Sequence, residues 1–393
     1  MTLDFRFGII SDLHIALPHT VWDHPSRFHL VEVSIPALEI VLAELAELDL
    51  DFLLLPGDLT QHGEPDNHTW LAERLHQLPY PVYVVPGNHD IPCLKNNGHS
   101  IGVNDFTHYY QPFGYQDLTQ LYYTCSLLPH VRLIGLNSNQ FDPQGRLFGG
   151  LDQQQLIWLE NALQEASEEL ILVMVHHNVV EHLRGQSQHG WGRRYMIKNA
   201  SELIRILQRY GVQLVFTGHL HIQNIACRKG VYDITTGSLV SYPHPYRILR
   251  VTGDRHHSSG AWQIHIQSRR VEAVEEWPNL QHFSREWMAN RSTPLMEQFL
   301  AADPLNFSGE QARTFAPHLR YLWADIAAGD AHLWFPEFPL AARHYLEKMN
   351  RSVSCDPDIP ITSDNQTTLS LQPRSTKVGL ASPALSASPL ARE

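Results

Sequence analysis

The sequence is poor in cysteine, short of positive charge and free of long apolar runs, and each shortage removes a class of protein. Its four cysteines, Cys93, Cys125, Cys227 and Cys355, lie far apart in 393 residues. That spacing offers neither a thiolate zinc site nor a disulfide framework, so reduced thiols in a cytoplasmic protein are expected. Lys and Arg number 29 against 41 Asp and Glu, a formal net charge of −12. So acidic a chain lacks the basic surface that a sequence-independent nucleic-acid binder needs, which argues against a nucleic-acid partner. No run approaches the roughly 18 apolar residues of a membrane span, and MTLDFRFGIISD places an acid at Asp4 where a secretory signal has basic and then apolar residues. With 43% hydrophobic and 18% charged residues the composition is that of a water-soluble globular protein. The length allows one large domain plus an extension.

What the chain has in quantity is histidine, 25 residues of it. Many, including His19, His24, His29, His62 and His68, fall in loop-like stretches and read as solvated side chains. A few others stand at positions that the secondary-structure pattern makes informative.

FRFGII (5–10) alternates Phe5, Phe7 and Ile9 on one face and predicts a strand; a helix should open near Ser34 with Pro36 just inside it. DFLLLPGD (51–58) reads as a buried strand, about 67–77 as a helix, and YPVYVV as a third strand ending in PGNHD. This β-α-β-α-β order implies parallel strands with right-handed crossovers. After an irregular stretch at about 95–120, strands are expected at 131–137, 170–177 and 212–221 with helices at 152–166 and 199–210, then shorter strands near 231–236, 246–252 and 261–268. The expected class is α/β, two packed sheets flanked by helices, parallel in the first part and more antiparallel in the second. Beyond about Glu276 the chain turns helical to about residue 350. Ser308 with Gln311 makes a capping box, Pro317 should break the second helix, and Phe315, Leu319, Leu322, Trp323 and Ile326 present an apolar face to the catalytic part or to a second copy of the chain. The Ser/Thr/Pro-rich residues 351–393 are expected to be a disordered tail.

Five predicted strands end in metal-ligand residue types: Asp12 and His14 in SDLH, Asp58 in PGDL, Asn88 and His89 in GNHD, His176 in VMVHH, and His219 and His221 in TGHLH. The carboxyl ends of parallel strands line one crevice, so these side chains should converge. Imidazole with carboxylate and amide oxygen suits zinc, manganese or iron. D-x-H and H-x-H set two side chains on one side of an extended backbone, and one carboxylate can bridge two ions roughly 3.5–4 Å apart, the spacing used for displacement at phosphorus.

This ordered set resembles the calcineurin-like metallophosphoesterase superfamily, and GNHD together with GHLH is similar to its bacterial class III cyclic-nucleotide phosphodiesterase branch, as are GGLDQQQLIWLENAL and TTGSLVSYPHPYRIL. The resemblance covers about residues 4–275 and implies α-β-β-α layers, a catalytic domain over 1–276 with a helical extension over 277–350, and two divalent or trivalent transition-metal ions, Fe, Mn or Zn. It implies that Asp12, His14 and His221 hold one ion, Asn88, His176 and His219 the other, and Asp58 bridges both. It further implies that His89 donates a proton to the substrate and stabilises charge there, with Asp90 orienting it or capping the turn; side-chain alternation points His177 away from the site, so it reads as a supporting or structural residue. The implied reaction is attack of metal-activated hydroxide on phosphodiesters, 3′,5′-cyclic nucleotides among them. Asn137, Asn178 and Val179 depart from the residues usual in relatives. The alternatives are a phosphomonoesterase or nuclease, for which Arg184, Arg193, Arg194 and Lys198 would supply basic surface, and a non-catalytic scaffold, which the unbroken ligand set opposes.

Overall fold

The computed structural model describes residues 2–24, 27–188, 190–254, 261–329, 333–347, 349, 366–372 and 374. The chain opens as expected: β1 (Thr2–Ile9), α1 (Ser34–Ala46), β2 (Phe52–Leu55), α2 (Pro65–Leu75) and β3 (Val82–Val84), with β1, β2 and β3 parallel neighbours. After α3 (Phe106–Tyr110) come β4 (Tyr123–Leu128), β5 (Val131–Gly135), a hairpin of β6 (Asn139–Phe141) and β7 (Leu147–Gly149), α4 (Gln153–Glu165), β8 (Leu170–Met174), α5 (Gly190–Arg193), α6 (Ala200–Arg209) and β9 (Leu214–Thr217). β10 (Asn224–Arg228), β11 (Val231–Thr235), β12 (Pro245–Asp254) and β13 (Trp262–Arg270) complete the two-sheet part.

Two six-stranded sheets result: β12, β1, β2 and β3 belong to one, and β10-β11-β9-β8-β5-β4 form the other. Apolar residues on the inner faces weld them, Phe7 stacking on Phe52 at 4.8 Å and meeting Phe216 of the second sheet edge-on at 5.6 Å. Leu38, Leu42 and Leu45 of α1 pack into the same core. Leu159 and Leu163 of α4 and Leu203 and Leu207 of α6 cover the far side of the second sheet with Ile134, Val173 and Val215. The layering is therefore helix, sheet, sheet, helix. The expected order, parallel early and antiparallel late, holds for the first sheet, where β1, β2 and β3 run parallel up to one edge and β12 and β13 pair antiparallel on the other side; the second sheet instead has β11, β9, β8 and β5 parallel at its centre and β10 and β4 antiparallel at its two edges. The antiparallel edges come from strands that return without a crossover helix.

Pro317 breaks the extension as expected, ending α8 (Gly309–Phe315) in a 3₁₀ turn before α9 (Leu322–Ala328), and the Ser308–Gln311 capping box forms. With α7 (Leu280–Ala301) and α10 (Leu340–Glu347), these helices bury Met296, Leu300, Leu319, Leu322 and Ile326 against Leu183, Leu220 and Ile222 of the two-sheet part. The apolar face is thus occupied within the chain, and Gln223 N donates to the Ala327 carbonyl at 3.0 Å to seat α9.

Two expectations are corrected. Within the tail expected to be disordered, β14 (Gln366–Leu371) adds antiparallel to β13 at the edge of the first sheet. Its alternation buries Leu369 and Leu371, enough to dock a short strand on an edge that offers unpaired backbone groups. Arg374 then donates to the carbonyls of Tyr210 (2.6 Å), Ala166 (3.0 Å) and Leu163 at the ends of α6 and α4. The remainder of the tail lies outside the described residues. Cys93 and Cys125 are free thiols, but Cys227 is disulfide-bonded, which removes the cysteine-based case for a reducing compartment. Cys355 lies outside the described residues. Among the described residues no helix is long and apolar enough to cross a membrane.

Candidate metal centre

β1, β2, β3, β8 and β9 end at one edge of the two sheets, and the loops that leave them carry all seven expected ligands. These loops are conformationally unusual. Asp12, His14, Asp58, His219 and His221 all have positive φ, between 42° and 66°. Residues with a Cβ rarely adopt this region, at a cost of order 1–3 kcal/mol each, and such strain persists where surrounding structure over-determines it. Here Asp12 N donates to Gly57 O at 3.1 Å, His14 N to Asp58 O at 2.9 Å and Gly218 N to His176 O at 3.1 Å, so each loop fixes its neighbour. Glycine is required where ligands press on the backbone. A Cβ on Gly87 would overlap Asp58, and one on Gly218 would overlap Ser11 Oγ and the Asp12 carboxylate.

The donors form two groups sharing Asp58. Asp12, His14, Asp58 and His221 offer donor atoms all within 4.8 Å of one another, as do Asp58, His176 and His219. In the first, His221 Nε2 lies 3.0 Å from Asp12 Oδ1 and His14 Nε2 3.8 Å from Asp58 Oδ2. In the second, His176 Nε2 lies 3.3 Å from Asp58 Oδ2, 3.1 Å from Asn88 Oδ1 and 3.1 Å from His219 Nδ1. Asp12, His14, Asp58 and His176 are buried, while Asn88, His219 and His221 are half-buried and line the mouth. Both ring nitrogens of His14 are buried without a hydrogen-bond partner, an arrangement that costs free energy unless something else satisfies them. The donor set and this orphaned imidazole fit two metal ions bridged by Asp58.

Supporting groups aim the ligands. Ser11 Oγ and the His219 backbone N–H both donate to Asp12, at 2.5 Å and 3.0 Å. His176 Nδ1 bonds the Pro56 carbonyl at 2.9 Å, which sets the tautomer and leaves Nε2 for a ligand role. Burial pushes His14 and His219 well below the ordinary imidazole range, which favours the neutral form that binds metal. Burial also works to lower His176, but the Asp58 carboxylate, aided by Asp12, outweighs it and holds the group at about 9. Metal loading must therefore displace a proton there.

His89 is half-buried beside this centre. Its backbone N–H donates to Asp58 Oδ1 at 2.8 Å, its Nδ1 lies 2.5 Å from the Gln61 carbonyl, and its ring meets His14 edge-on at 4.7 Å. Of the two roles expected for Asp90, its contacts are those of turn capping and not of orienting His89. The Asp90 carboxylate turns inward and accepts from Gly87 N (2.8 Å), Thr60 N (2.9 Å) and Thr60 Oγ1 (3.2 Å), bracing the turn after β3. Two backbone N–H groups and one hydroxyl hold the carboxyl group there, and for His89 a backbone carbonyl performs the orienting instead. His177 is structural as expected: Ser138 Oγ holds Nδ1 at 2.7 Å, and its ring supports His219 at 4.3 Å. Asn178 braces the ligand turn through Gly218 O at 3.2 Å. Arg184, Arg193, Arg194 and Lys198 are exposed, and three of them are engaged locally, Arg193 with Ser187 O, Arg194 over the Tyr195 ring and Lys198 over Phe148.

The sequence reading missed two features. Tyr195 packs on His219 at 5.0 Å, and His29, expected to be a solvated loop residue, stands among the ligands, 4.2 Å from His14 and 4.6 Å from His221 by ring centroids. Neither lies at a strand end, so strand-end reasoning could not reach them.

Residues 5–223 match the family described as calcineurin-like phosphoesterase, and the chain belongs to that family, a class of metal-dependent phosphoric ester hydrolases. Within it, the chain resembles the cyclic-nucleotide phosphodiesterase branch. It is 28% identical over 184 residues to a 3′,5′-cyclic-nucleotide phosphodiesterase of Nostoc sp., covering 46% of this chain and 60% of that protein. It is 29% identical over 131 residues to a probable glycerophosphodiester phosphodiesterase of Arcobacter nitrofigilis, 33% of this chain and 43% of that protein. The chain therefore spans about half the length of these two curated relatives. Among solved structures, a purple acid phosphatase from yellow lupin seeds superimposes with a TM-score of 0.47 at 13% identity, over 69% of this chain and 52% of that one.

Proposed function

We propose that the protein hydrolyses small phosphodiesters, with 3′,5′-cyclic nucleotides as the preferred class, using two transition-metal ions held by the seven strand-end ligands. The observation that carries this is the sharing of Asp58 by two donor groups with His89 bonded to the same carboxylate. Asp12, His14, Asp58 and His221 would hold one ion and Asp58, Asn88, His176 and His219 the other, and the nitrogen and oxygen donors suit iron, manganese or zinc. When bound, the ions supply Lewis-acid charge at the phosphoryl oxygens and water acidified toward neutral pH.

The chain's own groups do the rest. Ser11 and the His219 N–H hold the Asp12 carboxylate in one orientation, and the Pro56 carbonyl does the same for His176. The Gln61 carbonyl accepts the His89 Nδ1 proton, which leaves Nε2 to hand a proton to the departing ester oxygen. The local positive charge that the acidic chain lacks would come from the metal centre. Residues 1–276 act as the catalytic domain and 277–350 as a wall that backs the His219–His221 loop through Leu220 and Ile222.

Similarity to proteins named for cyclic-nucleotide and glycerophosphodiester hydrolysis supports a diester over a monoester substrate. The test is a panel of 3′,5′- and 2′,3′-cyclic nucleotides, glycerophosphodiesters and phosphomonoesters on metal-defined protein. The highest kcat/KM is expected on a 3′,5′-cyclic nucleotide. A monoester turned over faster than every diester would overturn the assignment.

A further inference from the structure

The segment between β1 and α1 brings a residue to the metal centre that no strand end supplies. His29 lies between His14, His221 and His89, with ring centroids 4.2 Å, 4.6 Å and 5.8 Å away. Ring-to-ring packing alone would be satisfied by any aromatic side chain, but the nitrogens are also brought together. Donor atoms of His14, His29 and His221 all lie within 4.8 Å of one another. Nitrogens bound to one ion at about 2.0–2.1 Å sit roughly 3–4 Å apart, so a small contraction of the trio around an ion suffices.

The segment's position is held, and not by His29 itself. Leu30 is buried, and its N–H donates to Val240 O at 2.8 Å. Arg27 pairs with Glu32 through two hydrogen bonds of 2.6 Å and 3.0 Å. Two residues before Val240, Ser238 Oγ donates to Asp12 O at 2.9 Å, and Leu239 N donates to Ser11 O at 3.1 Å. The loop carrying His29 is thus tied to the same backbone that carries Asp12. Both ring nitrogens of its neighbour His14 are buried without a hydrogen-bond partner.

We infer that His29 is a third imidazole ligand of the ion cradled by Asp12, His14 and His221. This rests on the reading that the cradle holds an ion. A separate third ion is excluded by the donors, because His14 and His221 already belong to the Asp12 group and cannot serve two ions with the same lone pairs. The assignment makes the two sites unequal. The Asp12 side would carry three imidazoles and two carboxylates, and the Asn88 side two imidazoles, one amide and the shared carboxylate.

The test uses the full chain, stripped of metal and titrated with Co²⁺ and Zn²⁺ by calorimetry, with Co²⁺ visible absorption as a readout independent of activity. His29→Phe fills the ring's place without a donor, and His29→Asn is the second variant should Phe disturb the fold. Wild type is expected to take two ions. Each variant that retains the wild-type circular dichroism should weaken one of them by roughly tenfold or more and change that ion's absorption bands, leaving the other ion's affinity and bands as they were. His62→Phe, which alters a histidine stacked on His89 at 5.2 Å but outside the donor groups, should change neither ion. Unchanged affinities and spectra in the His29 variants, or equal weakening of both ions, would overturn the inference while leaving the two-metal reading intact. A wild-type chain that takes up no ion would overturn both.

Discussion

His89→Ala separates the two ways in which this imidazole could act. As a proton donor its worth depends on the leaving group: a ribose alkoxide needs the proton, and a nitrophenolate hardly does. General-acid contributions of about 10²–10⁴-fold correspond to about 2.7–5.5 kcal/mol of barrier. The geometry indicates what survives the deletion. The bond from residue 89 to Asp58 Oδ1 comes from the backbone and remains, and the seven metal ligands lie on other side chains. What is lost is the ring, with its Nδ1 contact to Gln61 O and its edge contact with His14. The expected result is a loss of about 10²–10⁴-fold in turnover on a cyclic nucleotide or alkyl diester, a loss of less than about tenfold on a nitrophenyl diester, and metal content equal to wild type. The assay is kcat and KM on both substrates with elemental analysis of the same preparation. Equal losses on the two substrates would refute proton donation in favour of charge stabilisation, which is indifferent to the leaving group. Loss of metal would show that the ring is a ligand.

Purified protein is expected to bind two transition-metal ions, and Asp58→Asn should weaken both because the bridging charge is shared, which metal titration will check; one tightly held ion with full activity would contradict the bridge. Gly218→Ala should weaken chiefly the ion on the Asp12 side and Gly87→Ala both ions, since the added methyl groups collide with Asp12 and with Asp58, again read by titration. Asp90→Ala leaves the Gly87 and Thr60 donors unsatisfied and should cost about 1–3 kcal/mol of stability without altering leaving-group dependence, as denaturant melts and the same two substrates will show. Truncation after residue 350 removes β14 and Arg374 and should lower the melting temperature and promote association through the bared β13 edge; truncation after 276 uncovers Leu183, Leu220 and Ile222 and should abolish solubility, and a sedimentation assay distinguishes the two.

The candidate site was largely legible in one dimension because its expected ligands sit where a local pattern announces them. An apolar run of strand length that stops on Asp, Asn or His is visible without knowing what the strand pairs with, and parallel connectivity alone requires such ends to meet. The same holds for α1, for the Ser308–Gln311 cap and for the break at Pro317, each of which depends on neighbours within a turn. Other features depended on partners distant in sequence. β14 is a strand only because β13 offers an edge and a slot for Leu369 and Leu371; its polar, Ser/Thr-rich flanks resemble a tail in isolation. Which role Asp90 takes was decided by the donors around it: Gly87 N is local, but the two from Thr60 stand thirty residues away in sequence. Positive φ at five ligands could not be read from side chains that ordinarily avoid it, because the strain is imposed by interlocking loops. His29 has no motif of its own; only the docking of its segment on Val240 carries an unremarkable loop histidine into a cluster with His14 and His221. Residue type and local order pointed to the candidate metal centre, and long-range packing decided which of the 25 histidines stand in it.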